Sequence, residues 1–463
     1  MNKTIYSYSV SSFLALQACL WSSGAYATDA FNLIGYGPVS LGMGGSGAAY
    51  DIGAQGMMLN PATLTLIRKG AHLGLGIDII SADLEVSNTL TGEKARSHSR
   101  GRNNGPYFGP ELSYVWRGER FSLGVGAFAS DGVGTQFGDS SFLSRTSTNG
   151  IDTGLDSFSR LLVLRVPLSA AYQVNEKLAV GASLDAVWTS VNLGLLLDTS
   201  QIGSLAAQGR LSGSLVPTLM SVPELSAGYL SVDNGRAAGG GVDAWGIGGR
   251  LGLTYQLSPQ TRFGLAYNFK TNVGDVSGDA NLTAVSALAG NIPLDGSVTL
   301  RNFEMPAHLV AGLSHWFADD FVVSIDYKRV YWSDVMKDIR VGFKQQDSGD
   351  SLSLILPFNY RDTNVFSVGA QYRYSTNWAF RAGIHYADQA TPSTGVLPII
   401  PSTPTTNVTG GVSYAFGAND RIDFALAYGF REKVANDSLP LTDTPIEVAH
   451  SQIAASFAYT KAF

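Results

Sequence analysis

Cysteine is almost missing from this chain of 463 residues: Cys19 is the only one. Charge is sparse too, at 15% of residues, where about a quarter is usual for a soluble domain. After residue 30 there is no uninterrupted apolar run of the roughly 20 residues that a membrane-spanning helix needs. These absences exclude a disulfide framework, a thiolate metal site and a helical membrane protein. The net charge of −6 argues against a nucleic-acid partner. Catalytic signatures are missing as well. The six histidines are scattered and form no H-E-x-x-H. Gly44-Gly45-Ser46-Gly47 lacks the last glycine of a nucleophile elbow, and Gly246 and Gly248 belong to a strand pattern. No enzyme activity, cofactor or metal is expected.

The first residues read as an export signal spanning 1–27. Lys3 supplies the positive end, Phe13 to Trp21 the short apolar region, and Ala25-Tyr26-Ala27 the cleavage site. Leu16-Gln17-Ala18-Cys19 is a weaker lipoprotein-type alternative, because Gln17 fits poorly. Cleavage after Ala27 removes Cys19 and Lys3, leaving a cysteine-free chain that is slightly more acidic.

From about residue 71, apolar residues alternate with small or polar ones, the period of a strand with two unlike faces. Phe121, Leu123 and Val125 alternate with Ser122, Gly124 and Gly126; Trp378, Phe380, Ile384 and Tyr386 alternate with Arg381, Gly383 and His385. Aromatics at both ends of such faces mark membrane interfaces. Connections alternate in length. Short turns lie near residues 117–120, 173–176, 257–260, 318–320, 375–377 and 417–420, with long segments between them, such as 198–242 and 278–302. This rhythm predicts an all-β, antiparallel transmembrane barrel of fourteen strands over residues 71–463, with short turns on the periplasmic side. Such a sheet must close, since an open edge in hydrocarbon leaves backbone groups unsatisfied. Ile453, Ala455, Phe457, Tyr459, Lys461 and Phe463 share one face of a last strand.

Residues 28–70 differ. They are rich in glycine, lack the period-2 pattern, and keep apolar Ile52, Met57, Met58 and Leu59. A solvated tail would not hold these. The segment is expected to be a plug folded into the lumen.

Four stretches make the chain resemble the FadL/TodX family of outer-membrane transporters for hydrophobic compounds: "SLGMGGSGAAYDIGAQGMMLNPATLTLI", "FSLGVGAFASDGVGTQF", "RVPLSAAYQVNEKLAVGASLDAVW" and "NVFSVGAQYRYSTNWAFRAGIHYAD". The resemblance spans nearly the whole mature chain. It implies passive transport of long-chain fatty acids or of apolar and aromatic hydrocarbons. It also implies a hatch carrying Asn60, Pro61 and Ala62, and a kink in the third strand that opens the wall sideways. The kink maps to Ser130, Asp131, Gly132 and Gly134, where alternation fails and glycines mark a bulge. The motif at Asn60 is expected to face Gly132.

The long loops are too apolar to be free, and contiguous apolar surface marks binding. Leu211, Leu215, Leu219, Met220, Leu288 and Ile292 are the candidate outer substrate contacts. A buried carboxylate needs a cation. The resemblance implies two such cations: Arg361 corresponds to one, near the start of strand ten, while the stretch Val191 to Leu197, where fatty-acid members carry the other, has none. That absence favours a neutral cargo. Arg250, Arg262, Arg373 and Arg381 face the lumen by alternation, with Asp185, Asp326 and Asp423 as their expected wall partners. The expected partners are a hydrophobic small molecule and outer-membrane lipid, with the protein a monomer in the bacterial outer membrane. The long loops also leave room for a different reading, a surface adhesin or phage receptor.

Overall fold

The computed structural model describes residues 30–97, 106–233, 240–401 and 403–463, so the signal assigned to 1–27 lies outside the described residues. The described residues begin with short elements, among them α1 (Gly37–Gly42), α2 (Gly56–Leu59) and a 3-10 stretch, Pro61–Leu66. Strands follow: β1 (Gly70–Asn88), β2 (Lys94–Arg96), β3 (Tyr107–Arg117), β4 (Phe121–Gly138), β5 (Ser157–Gln173) and β6 (Leu178–Asp198). Two helices, α3 (Thr199–Ala207) and α4 (Leu215–Met220), flank β7 (Leu211–Ser212). Next come β8 (Leu225–Val232), β9 (Val242–Ser258), β10 (Thr261–Asn268), β11 (Asn272–Val273), β12 (Val276–Ser286) and β13 (Gly290–Arg301). They are followed by β14 (His308–Ala318), β15 (Phe321–Val330), β16 (Ile339–Gln345), β17 (Ser351–Leu356) and β18 (Thr363–Arg373). The last are β19 (Trp378–Ala387), β20 (Thr406–Phe416), β21 (Asp420–Asn436) and β22 (Ile446–Ala462).

The expectation of a fourteen-stranded sheet is corrected here. All strands belong to one sheet of 22. The surplus lies in segments read as apolar loops. Their alternation is itself a strand pattern, so β8, β12, β13, β16, β17 and β7 pair in succession outward from β6. Beneath them the wall closes through antiparallel pairs in the order β1, β3, β4, β5, β6, β9, β10, β14, β15, β18, β19, β20, β21, β22 and back to β1.

The outer face is apolar and uncovered: Leu75, Ile77, Phe108, Leu112, Leu168, Leu184, Ile247 and Ile384 are all exposed. In water this surface would aggregate; in lipid it is the solvated side. The lumen-facing residues between them are small or polar, with Ser113, Ser183, Ser314 and Ser324 buried. Residues 30–69 fill this polar interior. Met43, Ala48, Met57, Met58, Asn60, Ala62 and Leu64 are fully buried there.

Candidate functional site

The inner segment is pinned by polar groups from all round the wall. Asp326 on β15 accepts the N–H groups of Gly47 and Ala48, both at 2.8 Å. Ser122 on β4 donates to Leu64 O at 3.0 Å, and Arg117 on β3 to Thr65 O at 3.1 Å. Asn60 has the densest set. Its Nδ2 donates to Ala48 O at 2.6 Å and to Leu253 O on β9 at 3.0 Å, while Oδ1 accepts Ala62 N–H at 3.1 Å. Asn60 is extended, so Pro61 can start the 3-10 stretch with a side-chain cap behind it. Two wall glycines let the motif approach. A Cβ at Gly181 would lie 2.5 Å from Ala62 N, and one at Gly252 would overlap Asn60 Oδ1. The wall glycines therefore admit plug backbone, a role beyond strand packing.

The expected meeting of Asn60 with Gly132 is not found. The motif docks on β6 and β9 instead. Within "MMLNPATL" it is Met57 that meets β4, its sulfur 2.6 Å from where a Cβ on Gly124 would sit. Gly132 is held by the other end of the inner segment. Its N–H donates to Phe31 O at 3.0 Å, and Asn32 bridges to Asp131.

The pairing of β4 is interrupted on both sides. Pairing with β3 runs from Arg117↔Ser122 only to Glu111↔Phe128. The next residue of β3 is Pro110, which has no N–H for a ladder. On its other side, β4 skips a register between Ala129 and Asp131, which leaves Ser130 as the bulged residue. The β4–β5 ladder also has a gap at Gly126 and Ala127, next to Pro167 of β5. The two prolines were readable in the sequence as strand-breaking signals and were missed. Ser130 Oγ donates to Asp131 Oδ2 at 2.6 Å and receives Arg165 Nε at 3.3 Å. Across the unpaired stretch, Tyr107 of β3 lies over Gly134, whose missing side chain leaves room for the ring.

Two apolar cavities lie outward of this seam. One is a surface groove lined by Leu211, Leu219 and Met220, with Leu205 of α3, Leu230 and Leu354 beneath. Leu215 is buried in the core below that groove. Leu288 stands 71% exposed beside the β12–β13 turn, and Ile292 pairs with Ala284 in that hairpin; neither lines the groove. The second cavity lies deeper and is lined by Phe31, Leu161, Leu193, Phe303, Phe358 and Ile400. Leu195 and Val341 line both. Phe31 packs against Trp332 edge-on at 5.7 Å and against Tyr360 at 6.0 Å. Burial pushes the phenol of Tyr360, in the connection between β17 and β18, up to about 12. The loop 388–405 is tied above the seam by Thr135 Oγ1 donating to Ile399 O at 2.9 Å and by Ser159 Oγ donating to the same carbonyl.

Arg361 is exposed, away from both cavities. Arg160 is the one cation on the inner lining among the described residues. Of the wall arginines, Arg250 Nη1 pairs with Asp185 at 2.6 Å, and Arg165 shares that carboxylate at 3.5 Å. Asp326 holds plug backbone rather than an arginine. Among the described residues no cluster of three or more His, Cys, Asp or Glu is placed to hold a metal ion.

Residues 15–459 match the family model described as outer membrane protein transport protein (OMPP1/FadL/TodX). The chain is similar to the long-chain fatty acid transport protein of Escherichia coli O6:H1, 26% identical over 94% of this chain and 93% of that one. Among solved structures it is similar to the CymD monoaromatic hydrocarbon channel, at 61% identity and a TM-score of 0.76, covering 94% of this chain and 99% of that one. It is also similar to the Ralstonia pickettii toluene transporter TbuX, at 56% identity and a TM-score of 0.80, covering 93% and 99%.

Proposed function

Because the chain belongs to the OMPP1/FadL/TodX family of outer-membrane transport proteins, we propose that its cargo is a neutral aromatic hydrocarbon, released sideways through the seam between β3 and β4. The protein resides in the bacterial outer membrane and passes hydrophobic molecules passively through a plugged barrel; it is not an enzyme.

The observation that carries the proposal is the position of Phe31. Its ring lines the inner apolar cavity, and its carbonyl holds Gly132 where β4 has parted from β3. Cargo reaching the cavity therefore meets the residue that closes the seam. An aromatic ring can replace Phe31 in its edge-on contact with Trp332, an interaction worth about 0.5–1.5 kcal/mol beyond area burial. Displacing Phe31 loosens the Asn32–Asp131 bridge and frees the exit. Relatives described as a monoaromatic hydrocarbon channel and a toluene transporter support this cargo. Arg361, the expected carboxylate partner, stands exposed away from this cavity, and among the described residues the cation on the cavity lining is Arg160.

In this reading, residues 28–70 are the hatch, with Asn60, Pro61 and Ala62 as its anchor. Ser130, Asp131, Gly132 and Gly134 form the lateral opening. Leu211, Leu219 and Met220 gather cargo from outside. Each barrel carries its own exit into surrounding lipid, so a monomer suffices. Proteoliposomes should take up labelled toluene faster than empty liposomes do, and faster than they take up oleate. Equal rates for toluene and oleate would remove the neutral-cargo assignment.

A further inference from the structure

At the short-turn end of the lumen, under the inner segment, lies a cavity of about 430 Å³. Four arginines line it: Arg262, Arg373, Arg381 and Arg421. The one carboxylate on its lining is Asp51. Asp423 sits just behind, 1% exposed, bonded to Arg421 Nε at 2.7 Å. Four guanidinium groups thus face two carboxylates.

Arg381 makes the imbalance specific. It is only 8% exposed, and its Nε donates to Gln371 Oε1 at 2.8 Å. Its Nη1 lies 3.8 Å from Asp423 Oδ1, beyond hydrogen-bonding reach, and has no acceptor. A buried charged donor left unmade is costly and rare. Arg262 donates Nε to Gln256 at 3.0 Å and lies 5.0 Å over the Trp316 ring. Arg373 is exposed, and the cavity opens beside it at Thr376 and Asn377.

We propose that this cavity binds a small oxyanion of the phosphate or carboxylate class, with the guanidinium groups of Arg373, Arg381 and Arg421 around it. Planar guanidinium forks match such oxygens in pairs. The bound anion competes with Asp51, the one acid that the inner segment contributes, so occupancy bears on how firmly that segment is seated. The site is separate from the apolar cavities and does not depend on the cargo.

The test uses the full chain in phosphatidylcholine nanodiscs. Trp316 and Trp378 line the cavity and report by fluorescence. Inorganic phosphate is titrated against sodium chloride at matched ionic strength, with and without phosphatidylglycerol in the disc. The expected result is a saturable phosphate response, weakened about tenfold or more by Arg381→Gln and by Arg373→Gln. Arg373 is exposed, so its variant keeps the fold even if Arg381→Gln does not. A response that needs phosphatidylglycerol supports the site and assigns the anion to a lipid headgroup. No saturable response to either probe, or a response unchanged in both variants, overturns the proposal.

Discussion

The β1–β22 seam and the β3–β4 seam are made from the same alternating strand, yet they end differently. The first runs from His72↔Ala462 to Asn88↔Ile446 with no shift in register. The second stops at Glu111↔Phe128, halfway up the wall. A bare strand edge facing lipid would leave N–H and C=O groups without partners, at several kcal/mol each. At the second seam an inner segment supplies what the neighbouring strand does not: Phe31 O to Gly132, Asn32 to Asp131, and Tyr107 over Gly134. Where the ladder between β3 and β4 stops, the inner segment makes contacts that the neighbouring strand does not.

Sealing the seam is the strongest way to break this contrast. A Cβ at Gly109 would lie 2.8 Å from Ala129 Cβ, so Gly109→Cys with Ala129→Cys can be bridged after slight widening to about 3.8 Å. Oxidation should reduce uptake of labelled toluene to the empty-liposome rate, and reduction should restore it. The same pair of substitutions at Ile79 and Ala455, partners in the unbroken seam, should change nothing.

A bulky residue at the opening should act less completely. Gly132→Trp is expected to slow uptake about tenfold while the unheated barrel keeps its folded gel mobility. An unchanged rate would move the exit elsewhere.

Asn60→Ala separates the two ends of the inner segment. It removes three hydrogen bonds that seat the motif, about 2–3 kcal/mol in all. Hydrogen exchange should quicken over residues 47–66, with the pairing of β1 and β22 unaffected. Protection unchanged in 47–66 would mean that the wall, not Asn60, seats the motif.

The smallest effect belongs to the outer groove. Asp198 caps α3 in a capping box with Gln201. Burial pushes its carboxyl up, but hydrogen bonds from Thr148 and Ser200 outweigh this and hold it below the usual range. A lowered value contributes stability above the unfolded pKa of about 3.9, lost as pH falls through the folded value. Asp198→Ala should cost about 1 kcal/mol at neutral pH, read as fraying of α3 by hydrogen exchange. The difference from wild type should vanish in strong acid.

Much of this contrast was legible beforehand in one direction only. The failing alternation at Ser130-Asp131-Gly132 coincides with the register shift between Ala129 and Asp131, because a bulge disrupts the period where it occurs. What lies opposite was not legible. Asn60 and Phe31 are both short-range anonymous: nothing in the local pattern says which wall strand each will meet. The loops misled in a second way. Ile292 was expected to be an outer loop contact, while the alternation around it built β12 and β13 and added strands to the sheet. Leu211, Leu219 and Met220 did reach the surface groove. The paired arginines were half legible. Alternation put Arg250 and Asp185 on one face, but could not show that Asp326 would hold plug backbone.

The sequence by itself determined the antiparallel transmembrane barrel class, though not its strand count, together with its apolar outer face and the break in the alternation of β4. Each is a local property, set by a period of two or by the residues that interrupt it. Only the tertiary structure decided what closes that break and where the spare charge gathers. Phe31 meets Gly132 across a hundred residues, and four arginines from separate strands converge under the plug. Those contacts follow from closing the sheet upon itself, which brings together positions that no run of neighbours encodes.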